Sequence, residues 1–393
     1  MSVTAAKGFR AAGVSAGLKA SGRPDVALVV NEGPTHVAAA VFTSNRFAAA
    51  PVLWSRQVVA DGQVRAVVLN SGGANACTGP DGFADTHRTA EYLARALGNL
   101  EAGKAGIQVG AGDIAVCSTG LIGQQLQMDR LLAGIDAAAD ALSVEGGQSA
   151  AVAIMTTDTV PKTTVIDAGG YRIAGMAKGA GMLAPGLATM LVVLTTDAVI
   201  DAAVAREALR EATRLTFDRI DSDGCMSTND TVLLMASGAS GVGPSQAEFT
   251  ARLTRACAHL AQQLIADAEG ASKQIAITVE DARTEDEAVA AARVIARSNL
   301  LKCAIHGEDP NWGRVLAALG TCDAAFEPEQ VDVAMNGIWV CRAGGVGEDR
   351  ELVSLAGPQV QIRVRLAAGD ASATILTNDL TAAYVHENSA YAT

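Results

Sequence analysis

The residues from Ala174 to Asp197 read AGMAKGAGMLAPGLATMLVVLTTD, and Thr189 is the group among them best placed to do chemistry. It follows a small residue, Ala188, and stands just before an apolar run. A threonine hydroxyl in that position can attack the carbonyl carbon of the preceding residue and convert the peptide bond to an ester. Hydrolysis then releases a chain that begins at Thr189. The freed α-amine lies beside the hydroxyl as its own general base, the arrangement of N-terminal threonine nucleophiles. The presenting loop is legible as well. Pro185 lacks an amide proton and Gly186 is a poor helix former, so no helix runs through the segment. Leu191 to Thr196 is short, apolar and partly β-branched, which predicts a buried strand. A threonine is at ease in the extended entry to it. The competing reading of the same residues is a plain glycine loop feeding a core strand.

KGAGMLAPGLATM resembles the self-cleavage segment of the arginine-biosynthetic glutamate N-acetyltransferases, also called ornithine acetyltransferases. The resemblance extends along nearly the whole chain. It includes NSGGANACTG from Asn70, STGLIG from Ser118, MTTD from Met155, STNDT from Ser227, DAEGASK from Asp267, the stretch His306 to Arg314 and the final Tyr384 to Thr393. It implies an α/β fold of layered sheets flanked by helices, of the ornithine-acetyltransferase/aminopeptidase-like kind. It implies self-cleavage at Ala188-Thr189 into an alpha chain, 1–188, and a beta chain, 189–393, assembled as an α2β2 heterotetramer. The implied reaction moves acetyl from N2-acetyl-L-ornithine to L-glutamate through acetyl-Thr189. No bound cofactor or metal is implied, and acetyl-CoA is left open as a second donor. By the same resemblance Thr119 and Gly120 form the oxyanion hole. The chemistry suits them: a hydroxyl beside an amide with no Cβ in the way can converge on one oxygen, although a capped strand-to-helix turn would use the same residue types. Thr156 contacts substrate, with Thr157 a near neighbour that the sequence does not separate from it. Lys178 holds the substrate α-carboxylate and Glu269 its amino group, while Asn388 and Thr393 close the pocket.

These groups need elements to carry them. Strands are predicted at Asp25–Val30 and Val37–Phe42 around the turn Asn31-Glu-Gly-Pro34, then at Val64–Leu69 and Ile114–Cys117. Thr163–Ile166 and Tyr171–Met176 flank Asp167-Ala-Gly-Gly170, a hairpin pattern that delivers Lys178 to the glycine loop. Helices are predicted over Asp81–Leu97 with Asp81 as its cap, Met128–Leu142, Asp201–Thr216, Pro244–Glu269 and Glu285–Ser298. Ending a helix on Glu269 before Gly270 sets a carboxylate against the helix dipole, which calls for a reason. Strands Val232–Met235, Gln274–Val279, Val331–Ala334, Gln361–Leu366 and Ala373–Leu376 follow.

Composition sets outer bounds. The chain has 393 residues, enough for two or three domains, and is alanine-, valine- and glycine-rich. A net charge of −12 argues against nucleic acid or an anionic membrane as partner. The cysteine number is odd and shows no Cys-x-x-Cys or Cys/His cluster, which suits reduced thiols in the cytoplasm. Cys117 reads as a buried thiol. The basic first 24 residues are taken as the start of a soluble protein. Other motifs fall short. Gly13-Val-Ser-Ala-Gly17 fits a nucleophile elbow but shows no strand before it and no helix after. Gly179 to Ala184 fits G-x-G-x-x-A with Asp197 downstream, yet Pro185-Gly186 prevents the helix that a dinucleotide site needs. Asp221 to Thr231 lacks the glutamate of a calcium loop. His306, Glu308 and Asp309 precede a proline in a way that disfavours convergence on a metal. A threonine-nucleophile aminopeptidase of similar fold shares the self-cleavage logic but would lack the set Lys178, Glu269, Asn388 and Thr393.

Overall fold

The computed structural model describes residues 2–99, 108–184 and 190–390. Its strands are β1 (Phe9–Val14), β2 (Val26–Asn31), β3 (Val37–Phe42), β4 (Ala66–Ser71), β5 (Ile114–Thr119), β6 (Lys162–Asp167), β7 (Arg172–Lys178), β8 (Leu191–Thr196), β9 (Thr231–Ala236), β10 (Gln274–Ala282), β11 (Asp332–Met335), β12 (Ile338–Arg342), β13 (Gly345–Val346), β14 (Gln359–Arg365) and β15 (Ala371–Asn378). Its helices are α1 (Ala50–Val58), α2 (Gly79–Gly98), α3 (Met128–Asp140), α4 (Gly147–Ala153), α5 (Ala202–Leu215), α6 (Gln246–Ala266), α7 (Glu285–Ala296), α8 (Asn299–His306), α9 (Trp312–Leu319) and α10 (Ala382–Ala390). Among the described residues no helix is long and apolar enough to cross a membrane.

One sheet has the order β1-β2-β4-β5 and a second the order β3-β9-β8-β7-β6. Side-chain alternation along the strands stacks them. Val29, Leu69 and Cys117 of the first sheet meet Met176, Leu191, Val193 and Leu233 of the second in one core. The intervening Leu28, Val68 and Val116 turn outward onto α2 and α3. Val192, Leu194, Val232 and Leu234 turn outward onto α5 and α6. Strands covered on both faces require unbroken apolar runs rather than alternation, which is what VALVV, AVVL and LVVL supply. The layers therefore run helix, sheet, sheet, helix, the layered α/β fold expected. A third sheet, β13-β12-β11-β14-β10-β15, rests on α7, α8 and α9. Asn378 at the end of β15 ties it to the sandwich. It donates to Ile265 O at 2.9 Å and Lys273 O at 3.1 Å, and accepts from Ser222 Oγ at 2.7 Å.

The pairing register gathers several strand ends at one place. β4 and β5 run parallel and finish together, Ser71 opposite Thr119. β7 finishes at Lys178 opposite Leu191, which opens β8, and Leu191 also faces Thr231, which opens β9.

Some boundaries differ from expectation for local reasons. The long helix starts after Ser245, whose side chain accepts from Glu248 N–H, and stops at Ala266. Glu269 therefore lies in the turn beyond it and does not oppose the dipole of that helix. Asp81 sits in the first turn of α2, but Thr78 holds the N-cap position, with no side-chain capping bond. A strand does precede Ser15: β1 runs through Gly13, where a Cβ would lie 2.0 Å from Ser149 O. That glycine answers to packing against α4, and Ser15 Oγ donates to Gly22 O at 2.9 Å. No helix opens at Gly179 to Ala184.

Leu234 is wholly buried between β9 and the outer helices. Leu234→Ala should lower stability by about 2–5 kcal/mol, read from urea denaturation at fixed protein concentration. A loss below about 1 kcal/mol would mean that this outer layer is loosely packed.

Candidate active site

β5 brings in Thr119 and stops, because the next residue cannot continue the strand. Gly120 has φ +131°, and a Cβ there would lie 2.6 Å from Gly73 N. Both the conformation and the close approach require glycine. The neighbouring loop closes on this point. Gly72 and Gly73 N–H both donate to Thr119 O, and Ala74 N–H donates to Leu121 O. From the facing sheet, β7 inserts Lys178, whose Nζ donates to Thr119 Oγ1 at 3.3 Å. The ammonium occupies a lone pair of that hydroxyl, so its own O–H remains free to donate elsewhere. Cys117, two residues earlier, is buried, and burial pushes its thiol up to about 12.

Lys178 is 1 % exposed, so its charge has no water to face. Burial lowers its pKa, and Asp158 beside it works in the opposite direction. Asp158 is itself buried. Burial alone would raise its pKa, but Lys178, Lys162 and the Gly179 N–H together hold it down to about 2. Its Oδ1 accepts from Lys162 Nζ at 2.6 Å and Gly179 N–H at 2.7 Å, and its Oδ2 accepts from Thr156 N–H at 2.9 Å. Lys162 also reaches Asp267 Oδ2 at 2.5 Å.

The opposite wall is a second carboxylate. Glu269 Oε1 accepts from Thr157 Oγ1 at 2.7 Å, and Oε2 accepts from Asn388 Nδ2 at 3.1 Å. Its N–H donates to Ala180 O at 2.9 Å. A Cβ on Gly181 would lie 2.5 Å from Glu269 Oε2, so a glycine at 181 is what admits the carboxylate. Between the walls lies a small cavity of about 70 Å³. A roomier hollow of about 620 Å³ beside α6 and β10 is lined by glutamines, His259 and apolar groups. It brings no opposed charges together, so the chemistry belongs to the smaller one.

Thr119, Gly120, Thr156, Lys178, Glu269 and Asn388 all border that cavity, together with Thr157, Gly181 and Met182. Ala188, Thr189 and Thr393 lie outside the described residues. Met190, the residue after Thr189, is buried at the mouth of β8. Its N–H donates to Asp230 Oδ1 at 2.9 Å and its carbonyl accepts from Thr231 N–H at 3.1 Å. The two adjacent threonines divide their work: Thr157 gives its hydroxyl to Glu269, and Thr156 gives its N–H to Asp158. Asp158, Gly181 and Met182 are not among the site residues expected from sequence, whereas Thr157 is the alternative that the sequence leaves open beside Thr156. Asp158 stands inside the MTTD motif, the one signal that could have found it. Among the described residues no cluster of His, Cys, Asp and Glu is arranged to hold a metal ion.

A hydroxyl, a glycine amide and a buried ammonium at strand ends of a layered α/β sandwich, faced by a carboxylate in the turn beyond α6, define an enzyme of the acyl-transfer class. The chain belongs to the ArgJ family, whose sequence model matches residues 10–393. It is 66% identical over 391 residues to the arginine biosynthesis bifunctional protein ArgJ of Streptomyces coelicolor, covering 100% of both chains. It is 55% identical over 392 residues to the protein of that name from Mycobacterium leprae, covering 99% of this chain and 95% of the other. Among solved structures it is similar to ornithine acetyltransferase complexed with ornithine from Mycobacterium tuberculosis. That match is 56% identical, covers 48% of this chain and 96% of that one, and has a TM-score of 0.45. The arginine biosynthesis bifunctional protein ArgJ of Bacillus halodurans is 36% identical, covering 50% and 97%, with a TM-score of 0.48.

Asp158→Asn tests the charge cluster. Because the native carboxyl titrates below its unfolded value, its contribution is present at neutral pH and is lost as pH falls from about 4 toward about 2. The variant should lose about 3–5 kcal/mol at pH 7, since it breaks the buried ion pair with Lys162 and removes the carboxylate that acts most strongly on buried Lys178. The gap to wild type should close with acidification. A constant gap down to pH 3 would show that the carboxyl is not held ionised.

Proposed function

We propose that this protein transfers acetyl from N2-acetyl-L-ornithine to L-glutamate through an acetyl ester on Thr189, in the service of arginine biosynthesis. The observation that carries the reading is the convergence of Thr119, Gly120, Lys178 and Glu269 on one cavity, beside strand ends that include the entry to β8 directly after Thr189. The names of the curated relatives support it. In this reading the Thr189 hydroxyl attacks the acetyl carbonyl and passes its proton to the α-amine of Thr189. Charge gathers on the carbonyl oxygen, where the Thr119 O–H and the Gly120 N–H donate. The C–N bond breaks and ornithine leaves with that proton on its nitrogen. The amine of glutamate then attacks the ester carbonyl and gives up a proton to the α-amine, the C–O bond to Thr189 breaks, and N-acetylglutamate leaves as the Thr189 oxygen takes the proton back. Lys178 pairs with the substrate α-carboxylate and Glu269 with an amino group, while Asn388 and Thr393 close over the site and Thr156 borders it. No resident cofactor or metal enters these steps.

The same oxyanion donors serve an earlier event, the cut between Ala188 and Thr189 that yields 1–188 and 189–393, assembled as α2β2. Free cysteines at every described cysteine position support a cytoplasmic setting.

Denaturing mass spectrometry of the purified protein should show two pieces and no intact chain, with Thr189→Ala whole and inactive. Given the ornithine donor alone, the Thr189 peptide should carry acetyl. Initial rates against both substrates should give parallel double-reciprocal lines. An intact, active wild-type chain would overturn the mechanism. Running the labelling with acetyl-CoA instead decides whether it too is a donor.

Thr119→Ala should lower kcat by roughly 10²–10³-fold with a smaller change in KM, and should slow self-cleavage too. Normal rates in both would return this loop to a capping role.

A further inference from the structure

We propose that Asn229 and Asp230 are a pair of positioning residues: Asn229 sets the oxyanion loop, Asp230 sets the strand entry after Thr189, and one dipeptide thereby fixes the separation of the two halves of the reaction centre. This rests on the acetyl-transfer reading above.

Both side chains are buried, Asp230 completely. Asn229 Nδ2 donates to Ala74 O at 2.6 Å and to Ser118 O at 2.8 Å. Its Oδ1 accepts from Thr228 Oγ1 at 2.6 Å. Both amide protons are thus spent on the end of β5 and the loop after β4, which together frame the oxyanion donors. Ser118 immediately precedes Thr119, and Ala74 follows the Gly73 that Gly120 abuts. One residue on, Asp230 Oδ1 takes the Met190 N–H, and the next backbone N–H, of Thr231, takes the Met190 carbonyl. Both polar groups of the first residue after Thr189 are therefore held by one strand start. The dipeptide is anchored in turn. Thr43 N–H donates to Asp230 O at 3.0 Å, and Thr43 Oγ1 donates to Ser227 O at 2.7 Å.

The chemistry of each member suits its task. An amide can donate twice and a carboxyl can accept, and neighbouring side chains of a chain entering a strand point to opposite sides. Asn229 therefore reaches β5 of the first sheet while Asp230 reaches the mouth of β8 in the second. Asp230 Oδ2 has no hydrogen-bond partner among the described residues. Burial raises the carboxyl well above its usual range, against the pull of the Met190 N–H and Lys178. The Met190 N–H needs only one carbonyl-type acceptor at this place, and an asparagine of the same shape retains it.

The test compares Asp230→Ala, Asp230→Asn, Asn229→Asp and the Asp230→Ala/Asn229→Asp double variant with wild type, as full chains. Self-cleavage is followed by denaturing mass spectrometry, kcat and KM by acetyl transfer from N2-acetyl-L-ornithine to L-glutamate, and each thermal midpoint is recorded. Asp230→Ala should slow cleavage and kcat about 100-fold, the effect of an ångström-scale misplacement, with KM within about threefold. Asp230→Asn should recover at least about tenfold of that. Asn229→Asp, which keeps the size but loses both donors, should slow both reactions about 100-fold. The double variant should fall far short of the product of the single effects, since one separation is spoiled only once. Should Asp230→Ala not fold, Asp230→Ser takes its place. A lowered midpoint with normal kcat per folded molecule, or Asp230→Asn no better than Asp230→Ala, would overturn the proposal. A wild type that neither cleaves nor transfers acetyl would instead overturn the functional reading on which it rests.

Discussion

A buried ammonium with no carboxylate nearby is not tolerated in a folded protein, and of the carboxylates around Lys178 it is Asp158 that acts on it most strongly, ahead of Asp230 and Glu269. Removing an ion from water costs several kcal/mol, and only a close, well-bonded counter-charge offsets it. Asp158 is therefore held ionised, and the bonds that keep it so reach much of the site. They seize Thr156 N–H, Gly179 N–H and Lys162, and through Lys162 they reach Asp267, two residues before Glu269. The segment ahead of β6, the start of β6, the end of β7 and the turn after α6 thus owe their register to a single carboxylate. Both walls of the cavity are positioned from behind by this cluster, and Lys178 and Glu269 border the space between them with charges of opposite sign.

Much of this architecture was legible in the sequence because its signals were local. VALVV, AVVL and LVVL are too apolar for a half-exposed strand and too short for most helices, so burial on both faces could be read directly. The hairpin at Asp167-Ala-Gly-Gly170 and the helix that opens after Asp201 follow from the same short-range chemistry. What escaped was long-range. α6 stops at Ala266, short of the Glu269 that its sequence suggests, and the Glu269 N–H bonds instead to Ala180 O on a distant loop. The strand through Gly13 was hidden because its glycine and alanines carry little β signal, and their partners lie on other elements. The family motifs named the cavity residues. They did not reveal that Thr157 braces Glu269, that Gly181 exists to admit it, or that Asp158 answers Lys178 across twenty residues of sequence. Those relations are set by strand pairing, which leaves no trace in spacing.

The sheet order β3-β9-β8-β7-β6 carries a mechanical implication. β3, β6 and β7 precede residue 188 and β8 and β9 follow it, so the segments on either side of that peptide bond are woven through one hydrogen-bonded sheet. β9 is clamped between β3 and β8, and β8 between β9 and β7. A backbone nick there would break no ladder bond, and the two polypeptides would remain interlocked like the halves of a split protein that reassociate by strand complementation. Its lasting mark would be kinetic. Once unfolded, a nicked molecule must find its partner by diffusion, so recovery would become second order in protein, whereas the uncut chain would regain its structure at a rate independent of dilution.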